Sequence, residues 1–160
     1  MRGLNFLTRS AAAILLVTLG MSPASADEGI FTLKSIKGSW GFSGDGVLAS
    51  PDLEGRLPIA GIGVVTFDGE GGCKIVGTNN LNGMALPIAS DFCSYEVNPD
   101  GTGSSDASFP AMGPLPPADV PVSFVIVDGG RELRLIQTAV VVSSFVAKPI
   151  ERKRRRHRRR

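Results

Sequence analysis

Three Asp-Gly dipeptides recur in this chain, each directly after an apolar or alternating stretch: "VTFDGEGG", "EVNPDGTG" and "VIVDGGRE". Asp68-Gly69, Asp100-Gly101 and Asp128-Gly129 tolerate the positive φ angles that tight hairpins require. Asn82-Gly83, in "LNGM", is a fourth turn of the same kind. The runs between these turns are short and rich in Val, Ile, Phe and Thr. No stretch after residue 26 sustains an apolar period of 3.6. Punctuation of this kind predicts antiparallel strands joined by hairpins.

The spacing predicts eight strands, over residues 39–48, 59–67, 73–81, 92–97, 103–109, 122–127, 132–138 and 142–147. "GPLPPADVP" is the longest loop signal. Sequential hairpins favour an all-β, up-and-down antiparallel barrel, a closed form with no exposed edge. A two-sheet β-sandwich is the alternative. About 110 residues suffice for one core. The domain reading is a secretory signal peptide over 1–26, a lead-in over 27–37, a barrel over 38–148 and a disordered basic tail over 149–160.

The N-terminus carries the three parts of that signal peptide. Arg2 and Arg9 are positive, residues 11–20 are apolar, and Ala24-Ser25-Ala26 places small residues before Asp27. The apolar run is too short to span a bilayer, which takes about 20 residues. The mature chain is expected to begin at Asp27, to have no transmembrane segment and to work in a bacterial periplasm or as a secreted protein.

Charge is divided along the chain. Residues 27–150 hold seven basic and fourteen acidic side chains, whereas eight of the last nine residues are Arg or Lys. The basic residues are Arg152, Lys153, Arg154, Arg155, Arg156, Arg158, Arg159 and Arg160. Such a block buries no apolar surface and repels itself. Three readings stand for it: contact with an anionic surface (lipid, lipopolysaccharide or polysaccharide), a fold-back onto the acidic body, or an incidental solvated extension. Export argues against specific nucleic-acid recognition, the usual reading of such a run.

"GSWGFSGDGVL", "GIGVVTFDGEGG", "NNLNG", "YEVNPDGTGS" and "SFVIVDGGRELRLIQT" together resemble small exported bacterial proteins with a lipocalin-like (calycin-like) barrel and no established activity. The likeness covers roughly residues 38–138, and Gly38-Ser39-Trp40 resembles the G-x-W of the first lipocalin strand. The resemblance implies a barrel with a possible cavity. It also implies that Trp40 plugs one end, with Arg134 or Arg131 as its basic partner. An ordinary buried core aromatic is the alternative for Trp40.

Several chemistries are missing. No His lies between residues 27 and 150, which excludes Ser-His-acid and Cys-His catalysis and His-rich zinc sites there. The glycines are turn glycines, not phosphate loops. No cofactor or metal is expected. Asp45, Asp68, Asp100 and Asp128 are expected to cap turn backbones. Glu96 and Asp106 are candidate cross-strand neighbours, a pairing that more often faces water than performs acid/base work. The reading leans away from an enzyme.

Cys73 and Cys93 lie on either side of Asn82-Gly83 and are expected to form a disulfide in an oxidising compartment. A perfect two-residue turn would place Phe92 opposite Cys73, so the bond needs a bulge or a longer turn. The leading functional reading is a non-catalytic barrel that binds one small apolar ligand, lined by Phe42, Phe67, Tyr95, Phe124 and Phe145. The alternative is a structural or interaction protein with a filled core, held at an anionic envelope surface by its tail.

Overall fold

A computed structural model describes residues 30–48, 55–113, 115–139 and 141–151. The predicted signal peptide and the basic residues from Arg152 to Arg160 lie outside the described residues. The described chain is all-β and antiparallel throughout. A short 3-10 helix, Leu33–Ile36, precedes nine strands: β1 (Gly38–Leu48), β2 (Leu57–Phe67), β3 (Cys73–Leu81), β4 (Met84–Ala89), β5 (Phe92–Val97), β6 (Thr102–Phe109), β7 (Ala118–Val127), β8 (Glu132–Gln137) and β9 (Val141–Pro149). Their order in the sheet is β4-β3-β2-β1-β9-β8-β7-β6-β5. Within that order β1 and β9 are the non-sequential neighbours, and the sheet curls into an up-and-down half-barrel.

The strands number nine rather than eight. The additional one, "MALPIA", contains Pro87 and so reads as a breaker. Proline is tolerated on a strand that pairs on one side only, and β4 pairs only with β3. β4 and β5 lie end to end along the same side of β3. β4 pairs from Leu81↔Met84 to Val76↔Ala89, and Gly72 then bridges Ser94. The described strands thus line up as eight staves along the curled sheet, one of them interrupted at Ser90 and Asp91. The Asp91 N–H turns away to the Ser108 carbonyl on β6. β7 starts four residues before the expected 122 and takes in Pro121, opposite Asp106.

Asn82 and Gly83 both have positive φ, 48° and 94°. That is the two-residue turn whose twist matches its flanking strands. Alternation then sends one set of side chains inward. Trp40, Val65, Phe67, Tyr95, Phe124, Ile126, Leu133 and Ala147 are buried together with Ile36 of the 3-10 helix. A second cluster joins Ile88, Cys93, Ala107 and Phe109, and a third joins Leu48, Leu81 and Leu86 at the opposite end.

Candidate functional site

The end of the barrel nearest the N-terminus is sealed by hydrogen bonds as well as by packing. Trp40 is 3% exposed, and its Nε1–H donates to the Ile36 carbonyl at 2.8 Å. Tyr95 stacks edge-on against Phe67. Its hydroxyl donates to the Leu33 carbonyl at 3.0 Å and accepts the Gly69 N–H at 2.9 Å. One phenol therefore ties β5, the β2–β3 turn and the 3-10 helix together. Burial is the main cause that raises its pKa above the usual tyrosine value.

The middle of the interior is built from cross-strand rows. One row runs Phe42, Gly63, Gly77, Ile88 across β1 to β4. The Phe42 ring lies over the glycine backbone: a Cβ on Gly63 would fall 2.7 Å from it. Phe42 packs against both the Trp40 cluster and the Ile88 cluster, so one ring links two parts of the core. Phe145 meets it edge-on at 5.9 Å, and Phe124 covers Gly103 in the same manner on β6. Large residues beside small ones are how narrow barrels fill their interiors. Five inward aromatics expected from the sequence, Phe42, Phe67, Tyr95, Phe124 and Phe145, are thus all placed on the inner face. Phe67, Tyr95 and Phe124 are buried, whereas Phe42 and Phe145 are half-buried. Leu115, from the loop after β6, packs onto the Leu48, Leu81 and Leu86 cluster at the far end.

Arg134 does not join Trp40. Leu133 and Leu135 face inward on β8, so Arg134 points outward. There it is 61% exposed and pairs with Glu132. Lys148 of β9 holds the other Glu132 oxygen at 3.1 Å. The hydrogen bond from Lys148, reinforced by Arg134, keeps the Glu132 carboxyl below its usual pKa. Arg131 is also directed elsewhere, to Asp128 at 2.9 Å.

The turn carboxylates cap backbone at two of the expected positions. Asp68 accepts the N–H groups of Glu70 and Gly72, and the Glu70 bond is the main cause lowering its pKa. Asp100 accepts the Thr102 hydroxyl and N–H, with the same effect. Asp128 instead pairs with Arg131, and Asp45 lies within β1, exposed, not in a turn. Glu96 stands opposite Ser104 and Asp106 opposite Ser94, so the two are diagonal, outward and exposed. Among the described residues, no group of three or more His, Cys, Asp or Glu side chains is placed to hold a metal.

The seam between β3 and β5 is closed by the Cys73–Cys93 disulfide, with Cα atoms 4.9 Å apart. The Tyr95 N–H to Gly71 carbonyl bond, at 2.8 Å, lies beside it. A disulfide implies a non-reducing environment. Two open concavities, of about 330 and 390 Å³, flank the loop after β6, the first against Leu86 to Ala89 of β4 and the second against Asp91, Ser108 and Phe109. Among the described residues no helix is long and apolar enough to cross a membrane.

Sequence reasoning missed the outer wall. β2 reads "LPIAGIGVVTF", apolar on both faces, so composition does not say which residues point out. The register does: Ile62 and Val76 face solvent, 66% and 42% exposed. No family model, curated protein or solved structure matches the chain.

Proposed function

We propose that this chain is an exported, non-catalytic β-barrel whose interior is occupied by its own side chains and which works through its outer surface at an anionic bacterial envelope. The observation that carries the reading is Phe42. Its ring lies across Gly63 and packs into two core clusters at once, so it takes up space a ligand would need. Phe145 and Phe124 repeat the arrangement on other staves.

The disulfide and the signal-peptide pattern of residues 1–26 support export to a periplasm or the medium. The eight basic residues after Glu151 supply attraction to anionic lipid or polysaccharide, about 1 kcal/mol for each one near such a surface. A lipocalin-like interior holding a small apolar ligand is the second reading, favoured by the half-buried state of the inward-facing Phe42 and Phe145.

Cell fractionation tests the first reading. The intact chain is expected in the envelope fraction and to leave it progressively as salt is raised, because exposed charges are screened. Removal of Arg152 to Arg160 is expected to release it to the soluble fraction. Unchanged fractionation after that deletion contradicts the reading.

A further inference from the structure

We propose that the outer face of β2, β3 and β4 is a lipid-docking surface, which lies flat on an anionic bilayer beside the basic C-terminal segment. The proposal rests on the surface reading above and names its second contact.

The outward positions of these strands are Pro58, Ala60, Ile62, Val64 and Thr66 on β2, then Lys74, Val76, Thr78 and Asn80 on β3, then Ala85, Pro87 and Ala89 on β4. Among these described residues only Lys74 is charged, and it is positive. The acidic strand residues lie on other strands: Asp45 on β1, opposite Ala60 at the border of this face, Glu96 on β5, Asp106 on β6, Asp119 on β7 and Glu132 on β8. In a body with a twofold excess of acidic over basic side chains, the described outward positions of β2, β3 and β4 thus carry no carboxylate. Ile62 and Val76 stand out from it, 66% and 42% exposed, and the register sets Val64 beside Val76. Exposed apolar surface that is contiguous marks an interaction site more often than scattered single residues do.

The chain's last described residues say what covers this wall. The Ile150 N–H donates to the Ser39 carbonyl on β1. The Ile150 side chain lies over Gly41, where an added Cβ would meet it at 3.8 Å. Gly41 pairs with Val64, so Ile150, itself 47% exposed, adds to the apolar wall at its Val64 end. After Glu151, the run that holds the eight basic residues begins at Arg152, two positions beyond Ile150. The polybasic sequence therefore follows, after Glu151, a residue that lies at the edge of the apolar face. That pairing of two weak signals is what stable attachment to an anionic membrane surface takes.

Vesicle co-sedimentation tests this with the mature chain carrying its full C-terminus. The probes are phosphatidylglycerol/phosphatidylcholine vesicles and pure phosphatidylcholine vesicles. Ile62→Ser/Val76→Ser changes no charge and no buried residue, and Val125→Ser/Ile136→Ser is its counterpart on β7 and β8. Fluorescence of Trp40, the single tryptophan, checks that each variant is folded. The intact chain is expected to bind the anionic vesicles. Ile62→Ser/Val76→Ser is expected to bind roughly tenfold more weakly and to lose the salt-resistant part of binding, while Val125→Ser/Ile136→Ser binds as the intact chain does. Tail-dependent binding that is equal in all three proteins overturns the docking wall and leaves the tail reading standing. Failure of the intact chain to bind anionic vesicles at low salt overturns both.

Discussion

Cys73 and Cys93 meet because β4 and β5 are out of register by one residue. Extended from Val76↔Ala89, the β3–β4 pairing would set Cys73 opposite Phe92. The observed bridge is Gly72↔Ser94, one step away, and the inserted residue lies at Ser90 and Asp91. The insertion turns Cys93 inward, so that it is buried with Ile88 and Phe109, and turns Phe92 outward to 60% exposure. Each strand edge it joins would otherwise be free, and a free edge is an aggregation hazard.

The seam makes the disulfide the first target for a stability measurement. Cys73→Ser/Cys93→Ser is expected to lose about 3 kcal/mol, the chain-entropy value for a loop of this length. Denaturant unfolding followed by Trp40 fluorescence reads the loss. A change below about 0.5 kcal/mol would mean that the Gly72–Ser94 bridge and the Tyr95–Gly71 bond hold the seam unaided.

Gly63→Ala tests the ring-over-glycine packing. The added methyl falls 2.7 Å from the Phe42 ring and also crowds the Val76 carbonyl and the Gly77 Cα of β3, so both the ring and the neighbouring backbone must move. Overpacking of this kind costs about 1–3 kcal/mol. Adding Phe42→Leu should recover only the part of the loss due to the ring, since the contacts with the β3 backbone remain. If Gly63→Ala is neutral and the double variant is the less stable of the two, the interior has room to spare.

Tyr95→Phe keeps the ring against Phe67 and removes only the hydroxyl. The Leu33 carbonyl and the Gly69 N–H then lose a partner, at a cost of about 1–3 kcal/mol. Hydrogen exchange should show the loss first in residues 33–36, because the phenol is their tie to β5.

Acid should destabilise the fold through Asp68, Asp100 and Glu132. All three carboxyls are held below their usual pKa by hydrogen bonds made in the folded state. Their contribution is therefore complete above the unfolded values, near ~4, and disappears as pH falls through the lower folded ones. Glu132→Gln should flatten the acid limb of a stability–pH profile, and an unchanged slope would remove Glu132 from the account.

The turns were legible because Asp-Gly and Asn-Gly carry their conformation in two residues. Phe42, Phe67, Tyr95, Phe124 and Phe145 were assigned from strand position and stand on the inner face, while the phase of each strand comes from its register and not from alternation alone. β4 was not, since Pro87 argues against a strand unless its edge position is known. Arg134 was assigned to Trp40 by resemblance, and strand phase sends it to Glu132 instead. The outer wall of Ile62 and Val76 stayed hidden, because β2 is apolar on both faces and only its register with β1 and β3 separates inside from outside.

Native mass spectrometry of the chain recovered from its producing cell's envelope and medium tests the central claim, that side chains and not a ligand occupy the barrel. To keep lipid bound to the outer surface out of the reading, the chain carries Ile62→Ser/Val76→Ser and lacks Arg152 to Arg160. The account predicts the mass of a bare chain beginning at Asp27. An added mass that leaves on mild activation, and that is lost when Phe42 and Phe145 are replaced, would contradict it and make the barrel a carrier.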